Sequence, residues 1–131
     1  MSDLYREQIL DHYRNPRNQG TLEPHDASFE DTNPLCGDRV RIDLRFDGET
    51  ISDIRFSGRG CAISQAAASM LTEMVAGQNL QDVRELGKDE LLEELGIPIS
   101  PARLKCALLP LKVLKAGAYG FTGWPGEEAE R

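Results

Sequence analysis

The clearest signal in the sequence is an alternation of apolar and charged residues over positions 39–46. This two-residue period is typical of a β-strand with one buried face and one face in water. Asp47-Gly48 then predicts a hairpin turn, because glycine readily adopts the positive φ that such a turn needs. A return strand is expected over residues 50–57, where Ile51 falls out of phase and indicates a bulge. The segment therefore predicts an antiparallel hairpin.

The period changes to that of a helix after this hairpin. Apolar residues recur at three- and four-residue steps over positions 62–76, which predicts an amphipathic helix that Gly77 ends. Met70 and Met74 lie on the apolar stripe, so we interpret them as core residues and not as metal or cofactor ligands. The stripe consists of Ile63, Ala66, Ala67, Met70, Leu71, Met74 and Val75.

Weaker patterns predict the remaining helices. Residues 3–14 have apolar positions on roughly one face, and residues 80–86 and 88–95 are typical of short surface helices. Ser100-Pro101 should begin a final helix, because serine favours the N-cap and proline the first helical position. That helix is expected to cover residues 101 to about 117.

Two segments, residues 17–38 and 118–131, lack any such period. The first is rich in turn-forming residues, so we expect at most one short strand in it, near Phe29. The second has glycines, a proline and a charged end, and should be a loosely packed tail that Trp124 attaches to the domain. These patterns predict a single domain over residues 1–131 that combines an antiparallel hairpin with several helices.

The length and charge of the chain exclude several classes of function. With 131 residues and 40% hydrophobic content, the chain is long enough for one domain with a core and short for two. Its net charge of -7 repels phosphate groups, so neither nucleic acid nor a membrane surface is an expected partner. No apolar run approaches the roughly 20 residues that span a bilayer, and the charged start lacks a signal-peptide core. We therefore expect a cytoplasmic protein.

The three cysteines are the candidates for chemistry. An odd number leaves one outside any disulfide framework, so they should be free thiols, metal ligands or small buried residues. Cys61 lies at the start of the helix over 62–76, where the helix dipole favours a thiolate. Cys106 follows Lys105, whose ammonium group would have the same effect. Pro110 removes the helical hydrogen bond to the carbonyl of Cys106, so a kink is expected there.

Cys36 and Asp38 lie two positions apart in a turn, so one loop aims a thiolate and a carboxylate at the same point. With Cys61 and Cys106 they provide three sulfurs and one oxygen, a set that suits a tetrahedral zinc site or an iron–sulfur cluster. The long spacings lack the paired cysteines of a zinc finger. From local chemistry alone, a metal site, a nucleophilic thiol and buried structural cysteines all remain open.

A resemblance to a known family rests on four segments, which are DHYRNPRNQG (11–20), NPLCGDRV (33–40), GCAISQAAASMLTEMVAG (60–77) and ISPARLKCALL (99–109). They resemble the U-type iron–sulfur cluster assembly proteins, which include IscU, SufU and the N-terminal domain of NifU. The resemblance implies an α+β fold, with a small antiparallel sheet of about three strands packed against several helices. It implies that zinc or a [2Fe-2S] cluster is bound by Cys36, Asp38, Cys61 and Cys106.

The resemblance also implies a partner protein, and the chain differs from typical IscU proteins at two places. Cys106 would accept persulfide sulfur from a PLP-dependent cysteine desulfurase of the SufS or IscS type. Lys105 stands where IscU has histidine, and ISPAR (99–103) replaces LPPVK, the motif that a dedicated Hsp70 chaperone recognises. That chaperone is therefore not an expected partner. The stretch from Pro101 to Cys106 resembles SufU, yet the extra SufU segment between the second and third cysteines is absent.

The two branches of the family imply different functions. In the favoured one, the chain is a scaffold and not an enzyme: it builds a transient [2Fe-2S] cluster for recipient apo-proteins, and Asp38 weakens one bond so that the cluster can leave. In the alternative, it is a zinc-dependent sulfurtransferase in which Arg103 orients Asp38 or contacts the desulfurase, and Cys106 carries the persulfide. A zinc-stabilised interaction domain without sulfur traffic is a third alternative. The short spacing from Cys61 to Cys106 favours the scaffold.

Overall fold

A small antiparallel sheet and a set of helices form the described part of the chain. The computed structural model describes residues 2–33, 37–121 and 123–125. The elements in chain order are α1 (Ser2–Arg14), β1 (Ala27–Asn33), β2 (Asp38–Asp47), β3 (Thr50–Arg59), α2 (Ala62–Val75), α3 (Leu80–Glu85), α4 (Lys88–Leu95) and α5 (Pro101–Tyr119). The three strands lie in the order β1-β2-β3, and both pairs are antiparallel. The predicted α+β class is therefore confirmed.

The hairpin of β2 and β3 has the predicted turn and the predicted bulge. Gly48 has a φ of 62° at the turn, in the left-handed region that glycine favours. The pairing register shifts between Arg45, which faces Asp53, and Phe46, which faces Ile51. Because the bulge leaves one residue of β3 unpaired, Ile51 turns into the core and is fully buried.

β1 is longer than the turn-rich sequence over residues 17–38 suggests. It pairs with β2 along its whole length, from Ala27 opposite Leu44 to Asn33 opposite Asp38. Asparagine and aspartate are poor strand formers by themselves, so pairing with β2 and packing against α5 must stabilise this strand. The consequence for the site is that Asn33 and Asp38 face each other at one end of the sheet.

Helix α2 lies between α1 and α5 and is central to the core. Three consecutive alanines at 66–68 are completely buried, because neighbouring elements approach α2 closely on more than one side. His12 of α1 holds α1 against α2 through its Nδ1, which lies 2.7 Å from Ser69 Oγ. Met70 is buried and Met74 packs against the core, so the interpretation of both as core residues is confirmed.

Asp43 is buried, although the alternation in β2 placed it on the exposed face. Its carboxylate accepts hydrogen bonds from Arg41 Nε at 2.8 Å, Ser28 Oγ at 2.7 Å and the backbone N–H of Leu22 at 3.0 Å. Burial raises the pKa of Asp43, but these hydrogen bonds outweigh it and hold the pKa below its usual range. The expectation of a solvated side chain is wrong here, because β1 and the loop before it supply partners for the carboxylate.

Helix α5 continues through Pro110 without interruption over its 19 residues. Pro110 has no N–H to offer the Cys106 carbonyl, but buried residues on both sides keep the chain helical. The helix also ends slightly later than predicted, at Gly120, which has a φ of 84° and closes it. Among the described residues, no helix is long and apolar enough to cross a membrane.

Trp124 fastens the start of the C-terminal tail to α5. It packs against the core, and its ring centroid lies 5.0 Å from Lys105 Nζ and 5.3 Å from Lys112 Nζ. Both ammonium groups are within the range of a cation–π interaction. This agrees with the role expected for Trp124, while residues 126–131 lie outside the described part of the chain.

Candidate metal centre

Asp38, Cys61 and Cys106 meet at one end of the sheet. One ligand atom from each, a carboxylate oxygen and two sulfurs, lies within 4.8 Å of the others. The three residues come from distant parts of the chain, namely the start of β2, the residue before α2 and the second turn of α5. The fold therefore brings together three of the four residues that the sequence nominated as ligands.

Asp38 is 1% exposed, and one of its oxygens has no partner in the described part of the chain. Oδ1 accepts a hydrogen bond of 3.0 Å from the backbone N–H of Cys61, whereas Oδ2 is buried without any donor from those residues. A buried carboxylate oxygen without a donor is costly, and a metal ion is one group that would satisfy it. This orphaned oxygen fits the residue's assignment as a ligand.

Cys61 is the N-cap of α2, with a φ of -71° and a ψ of 169°. Its sulfur therefore lies at the positive end of the helix dipole, which favours a bound anion. Its side chain is half-buried, in contrast to that of Cys106, which is 1% exposed. The predicted position of Cys61 at the helix start is confirmed, and it is the more accessible of these two thiols.

Gly60 is required by the close packing around Asp38, a role that the sequence pattern did not indicate. A Cβ at this position would collide with Asp38 Oδ1 and Asp38 Cγ, and it would lie only 2.5 Å from Ser64 Oγ. Ser64 in turn donates to the Cys61 carbonyl at 3.2 Å and is fully buried. The absent side chain at Gly60 leaves the space that the carboxylate occupies.

Asn33 also belongs to this environment, although the sequence pattern indicated only a turn at this position. Its side-chain Nδ2 lies 3.7 Å from Cys106 Sγ and donates to that sulfur. Its backbone carbonyl accepts a hydrogen bond of 2.8 Å from Gly37 N–H, and Gly37 has a φ of 73°. The sequence pattern did not indicate the contact between Asn33 and Cys106, because this contact depends on how β1 packs against α5.

The fourth nominated ligand, Cys36, lies outside the described residues, so its place in the site stays a prediction. The neighbours that flank it are described: Asn33 and Asp38 are paired across β1 and β2, and Gly37 bonds back to Asn33. The chain therefore leaves and re-enters the sheet beside the other ligands.

Arg103 and Lys105, which the sequence placed beside the candidate ligand Cys106, are both exposed near the start of α5. Lys105 places its ammonium over the ring of Trp124. No hydrogen bond or ion pair joins Arg103 to Asp38 among the described residues, and the suggested roles of Arg103, to orient this carboxylate or to contact the desulfurase, stay predictions. Arg103 instead lines a cavity of about 280 Å³ together with Ile63, Ile97, Pro98, Ile99 and Ser100.

The donor set suits a metal that accepts both soft and hard ligands. Thiolates favour zinc and iron–sulfur clusters, and a carboxylate oxygen adds a harder donor to the set. Zinc–sulfur bonds of about 2.3 Å in a tetrahedron place neighbouring sulfurs about 3.8 Å apart. Because the three described ligand atoms already lie within 4.8 Å of one another, a small adjustment would let them share one ion.

The fold and this site define a class of α+β domains whose thiolates and carboxylate converge at the edge of a small antiparallel sheet. The family of NifU-like N-terminal domains matches residues 4–127, and the chain belongs to it. The resemblance inferred from the four sequence segments is therefore confirmed, as is the fold that it implied.

Relatives from both functional branches are similar to the chain. The zinc-dependent sulfurtransferase SufU of Bacillus subtilis is 39% identical over 137 residues, covering 89% of this chain and 90% of SufU. The iron–sulfur cluster assembly scaffold protein IscU of Aquifex aeolicus is 40% identical over 135 residues, covering 100% of this chain and 85% of IscU. Sequence similarity of this size does not separate the two branches.

Solved structures agree on the fold. The crystal structure of FiSufU from Fervidobacterium islandicum AW-1, assigned as an iron–sulfur cluster assembly scaffold protein for the SUF system, has a TM-score of 0.77 and 29% identity. The alignment covers 86% of this chain and 94% of FiSufU. A NifU-like N-terminal domain from Brucella abortus has a TM-score of 0.72 at 23% identity, which supports the fold alone.

Proposed function

We propose that this protein is an iron–sulfur cluster assembly scaffold. It accepts sulfur from a PLP-dependent cysteine desulfurase of the SufS or IscS type, binds iron, and assembles a transient [2Fe-2S] cluster for transfer to recipient apo-proteins. The observation that carries the proposal is that the Asp38 carboxylate, whose buried Oδ2 has no donor among the described residues, converges with the sulfurs of Cys61 and Cys106. The scaffold proteins among its relatives support it.

The ligand set divides the work between holding and releasing the cluster. Cys36, Cys61 and Cys106 supply thiolates, which bind iron strongly. Asp38 supplies an oxygen, a harder ligand whose bond to the cluster is weaker than a thiolate bond. The bond to Asp38 is therefore the one that breaks first when a recipient protein takes the cluster.

Cys106 is the proposed acceptor of sulfur. Its thiolate attacks the outer sulfur of the desulfurase persulfide, a new S–S bond forms at Cys106, and the desulfurase cysteine leaves as a thiolate. Each delivered sulfur gains two electrons to become sulfide, and ferrous iron together with a one-electron donor protein supplies them. Because Cys106 is 1% exposed, docking of the desulfurase has to open a path to it.

A SufU-like zinc-dependent sulfurtransferase is the second candidate. The 39% identity to SufU of Bacillus subtilis favours it, and so does the lysine at position 105, where the scaffold branch has histidine. In this function Cys36, Asp38, Cys61 and Cys106 would hold zinc, which would organise the site without redox chemistry, and Cys106 would carry the persulfide. Arg103, which is exposed, would then contact the desulfurase. In either function the thiols suit a reducing compartment such as the cytoplasm.

Anaerobic purification with metal analysis and an absorption spectrum separates the two functions. The spectrum is recorded before and after adding desulfurase, cysteine, ferrous iron and a reductant, and an apo-ferredoxin is then supplied as recipient. A scaffold gains [2Fe-2S] absorption and loses it to the ferredoxin. A sulfurtransferase retains zinc, gains no cluster and stimulates the desulfurase only while zinc is bound. The second result would overturn the scaffold proposal.

A further inference from the structure

Asn33 stands out among the residues around the metal centre because it can touch a ligand without being one. It is the last residue of β1, is 2% exposed, and directs its amide at the sulfur of Cys106 across 3.7 Å. A neutral amide N–H is a hydrogen-bond donor and is not among the usual ligands of zinc or iron–sulfur clusters. Its contact with Cys106 therefore acts on the ligand and not on the metal directly.

A second contact between β1 and α5, on the same face of β1, holds Asn33 in place. Asp31, two residues earlier and therefore on the same face of the strand, forms an ion pair with Lys112 of α5. Burial raises the pKa of Asp31, but the hydrogen bond from Lys112 outweighs it, so the pKa is lowered and the carboxylate stays charged. This pair sets the register of β1 against α5 and so holds the amide of Asn33 opposite Cys106.

The negative charge of a metal-loaded site gives the hydrogen bond from Asn33 to Cys106 its effect. Three thiolates and a carboxylate carry four negative charges, and either zinc or an oxidised [2Fe-2S] core neutralises only two of them. Hydrogen bonds to the ligands reduce the remaining negative charge, and the Cys61 N–H already does so at Asp38 Oδ1. The amide of Asn33 provides the corresponding bond at a sulfur.

We propose that Asn33 is a positioning residue of the metal centre, whose side-chain amide orients the sulfur of Cys106 and withdraws electron density from it. The inference rests on the proposed metal centre but holds for both candidate functions, since Cys106 is a ligand in each. Loss of the amide makes the sulfur a stronger electron donor to the metal and leaves its position less well fixed. Outer contacts of this kind change metal affinity by about 10–100-fold.

Cobalt(II) is the probe, because tetrahedral thiolate sites give it d–d bands and a sulfur-to-cobalt charge-transfer band. Wild type, Asn33→Ala and Asn33→Asp are titrated with Co²⁺ alone under anaerobic conditions, and zinc affinity is measured by chelator competition. In Asn33→Ala the charge-transfer band should move to longer wavelength, since the sulfur has lost its donor. Zinc affinity should fall by about 10–100-fold, because the less well fixed position of the sulfur outweighs its stronger electron donation. Asn33→Asp keeps the size of the side chain but replaces the N–H donor by an acceptor, so its charge-transfer band should move in the same direction as that of Asn33→Ala.

The matched control for Asn33→Asp is Asn18→Asp, in the loop after α1, whose side chain contacts the C-terminal end of α2. It makes the same chemical change and removes a different amide bond, from Asn18 Nδ2 to Thr72 Oγ1 at 3.1 Å. Thermal unfolding of every apo-protein separates lost folding from lost metal binding; should Asn33→Ala unfold, the size-matched Asn33→Asp carries the test. An unshifted band with unchanged zinc affinity in a folded Asn33 variant, or an equal shift in the control, overturns the inference. Failure of the wild type to bind cobalt or zinc would instead overturn the metal centre itself.

Discussion

The backbone N–H of Cys61 and the carboxylate of Asp38 are joined by a 3.0 Å hydrogen bond, which links the start of α2 to the start of β2. The bond occupies Oδ1, whereas Oδ2 is buried and no described residue offers it a donor. One carboxylate oxygen of Asp38 lies within 4.8 Å of the sulfurs of Cys61 and Cys106. One backbone amide thus holds this candidate ligand in place and leaves its second oxygen without a hydrogen-bond donor from the described residues. This relationship underlies the first two predictions.

Asp38→Ala should make a reconstituted [2Fe-2S] cluster leave several-fold more slowly. The variant removes the oxygen ligand whose weaker bond is proposed to open first, so that an exogenous thiol can complete the site. The measurement is the half-life of the cluster absorption after an apo-ferredoxin is added.

Asp53→Asn is the control for this variant, because Asp53 pairs with Arg45 and Arg55 at the far end of the hairpin. Its cluster should leave at the wild-type rate. A cluster that decays faster in Asp38→Ala than in wild type would contradict the proposed role of the carboxylate.

Gly60→Ala should weaken zinc binding by more than it weakens folding. The added methyl group collides with Asp38 Oδ1 and crowds Ser64 Oγ, so the carboxylate has to leave the position that it holds near the two sulfurs. Overpacking of this kind costs about 1–3 kcal/mol of folding free energy. Chelator competition gives the zinc affinity, and denaturant unfolding of the apo-protein gives the stability.

Gly117→Ala provides the comparison for that variant. The nearest atom to a Cβ at Gly117 is Phe29 Cβ at 3.6 Å, an ordinary van der Waals distance. Because alanine favours a helix over glycine by about 1 kcal/mol, this variant should be at least as stable as wild type and bind zinc normally. Equal zinc affinity in Gly60→Ala and wild type would show that Gly60 does not shape the site.

His12 should make the protein less stable as the pH falls below about 6.5. Burial lowers the pKa of His12 from its ordinary value, and Arg17 adds to the effect, although Glu73 opposes it. The unfolded chain therefore binds a proton at a higher pH than the folded chain does. The neutral imidazole contributes its full stabilisation at pH values above the pKa of His12 in the unfolded chain. This contribution is lost as the pH falls toward the lower pKa of His12 in the folded chain.

Urea unfolding of wild type and His12→Gln at several values between about pH 5 and pH 7.5 measures this effect. Both proteins share their carboxylates, so the difference between their unfolding free energies isolates His12. That difference should shrink as the pH falls, because the wild type loses the contribution of the neutral ring beside Ser69. A difference independent of pH would exclude a shifted titration at His12.

Asp43→Asn should destabilise the fold by about 1–3 kcal/mol without changing metal affinity. The carboxylate accepts bonds from Leu22, Ser28 and Arg41, whereas an amide accepts through one oxygen and leaves a buried donor or the arginine charge uncompensated. Chemical denaturation and chelator competition report the two quantities. A fall in zinc affinity with unchanged apo-protein stability would show that Asp43 acts on the metal centre instead.

The regular elements of the fold were predictable because their signals are local. Alternation over residues 39–46 and the helical stripe over 62–76 each follow from side chains that face one core. The glycine at position 48 and the out-of-phase Ile51 located the turn and the bulge. The candidate ligands Asp38, Cys61 and Cys106 were found by chemistry and family resemblance, and the fold brings them together.

The features that the sequence did not reveal depend on contacts between distant segments. The extent of β1 follows from its pairing with β2, which offsets the poor strand propensity of its own residues. Asp43 reads as a solvent-facing charge until Leu22 and Ser28 surround it. In the sequence, Asn33 is typical of a turn. Its contact with Cys106 depends on the packing of β1 against α5, which no periodicity in the sequence could have predicted.

Trp124 gives the candidate metal centre an optical reporter that needs no label. It is the single tryptophan of the chain, and its ring lies against the ammonium groups of Lys105 and Lys112. Lys105 is the immediate neighbour of Cys106, so a local rearrangement of α5 that exposes the buried thiol would change the polarity around the indole. Tryptophan emission can therefore follow such a rearrangement in real time when a desulfurase or a recipient protein, the proposed partners, is added.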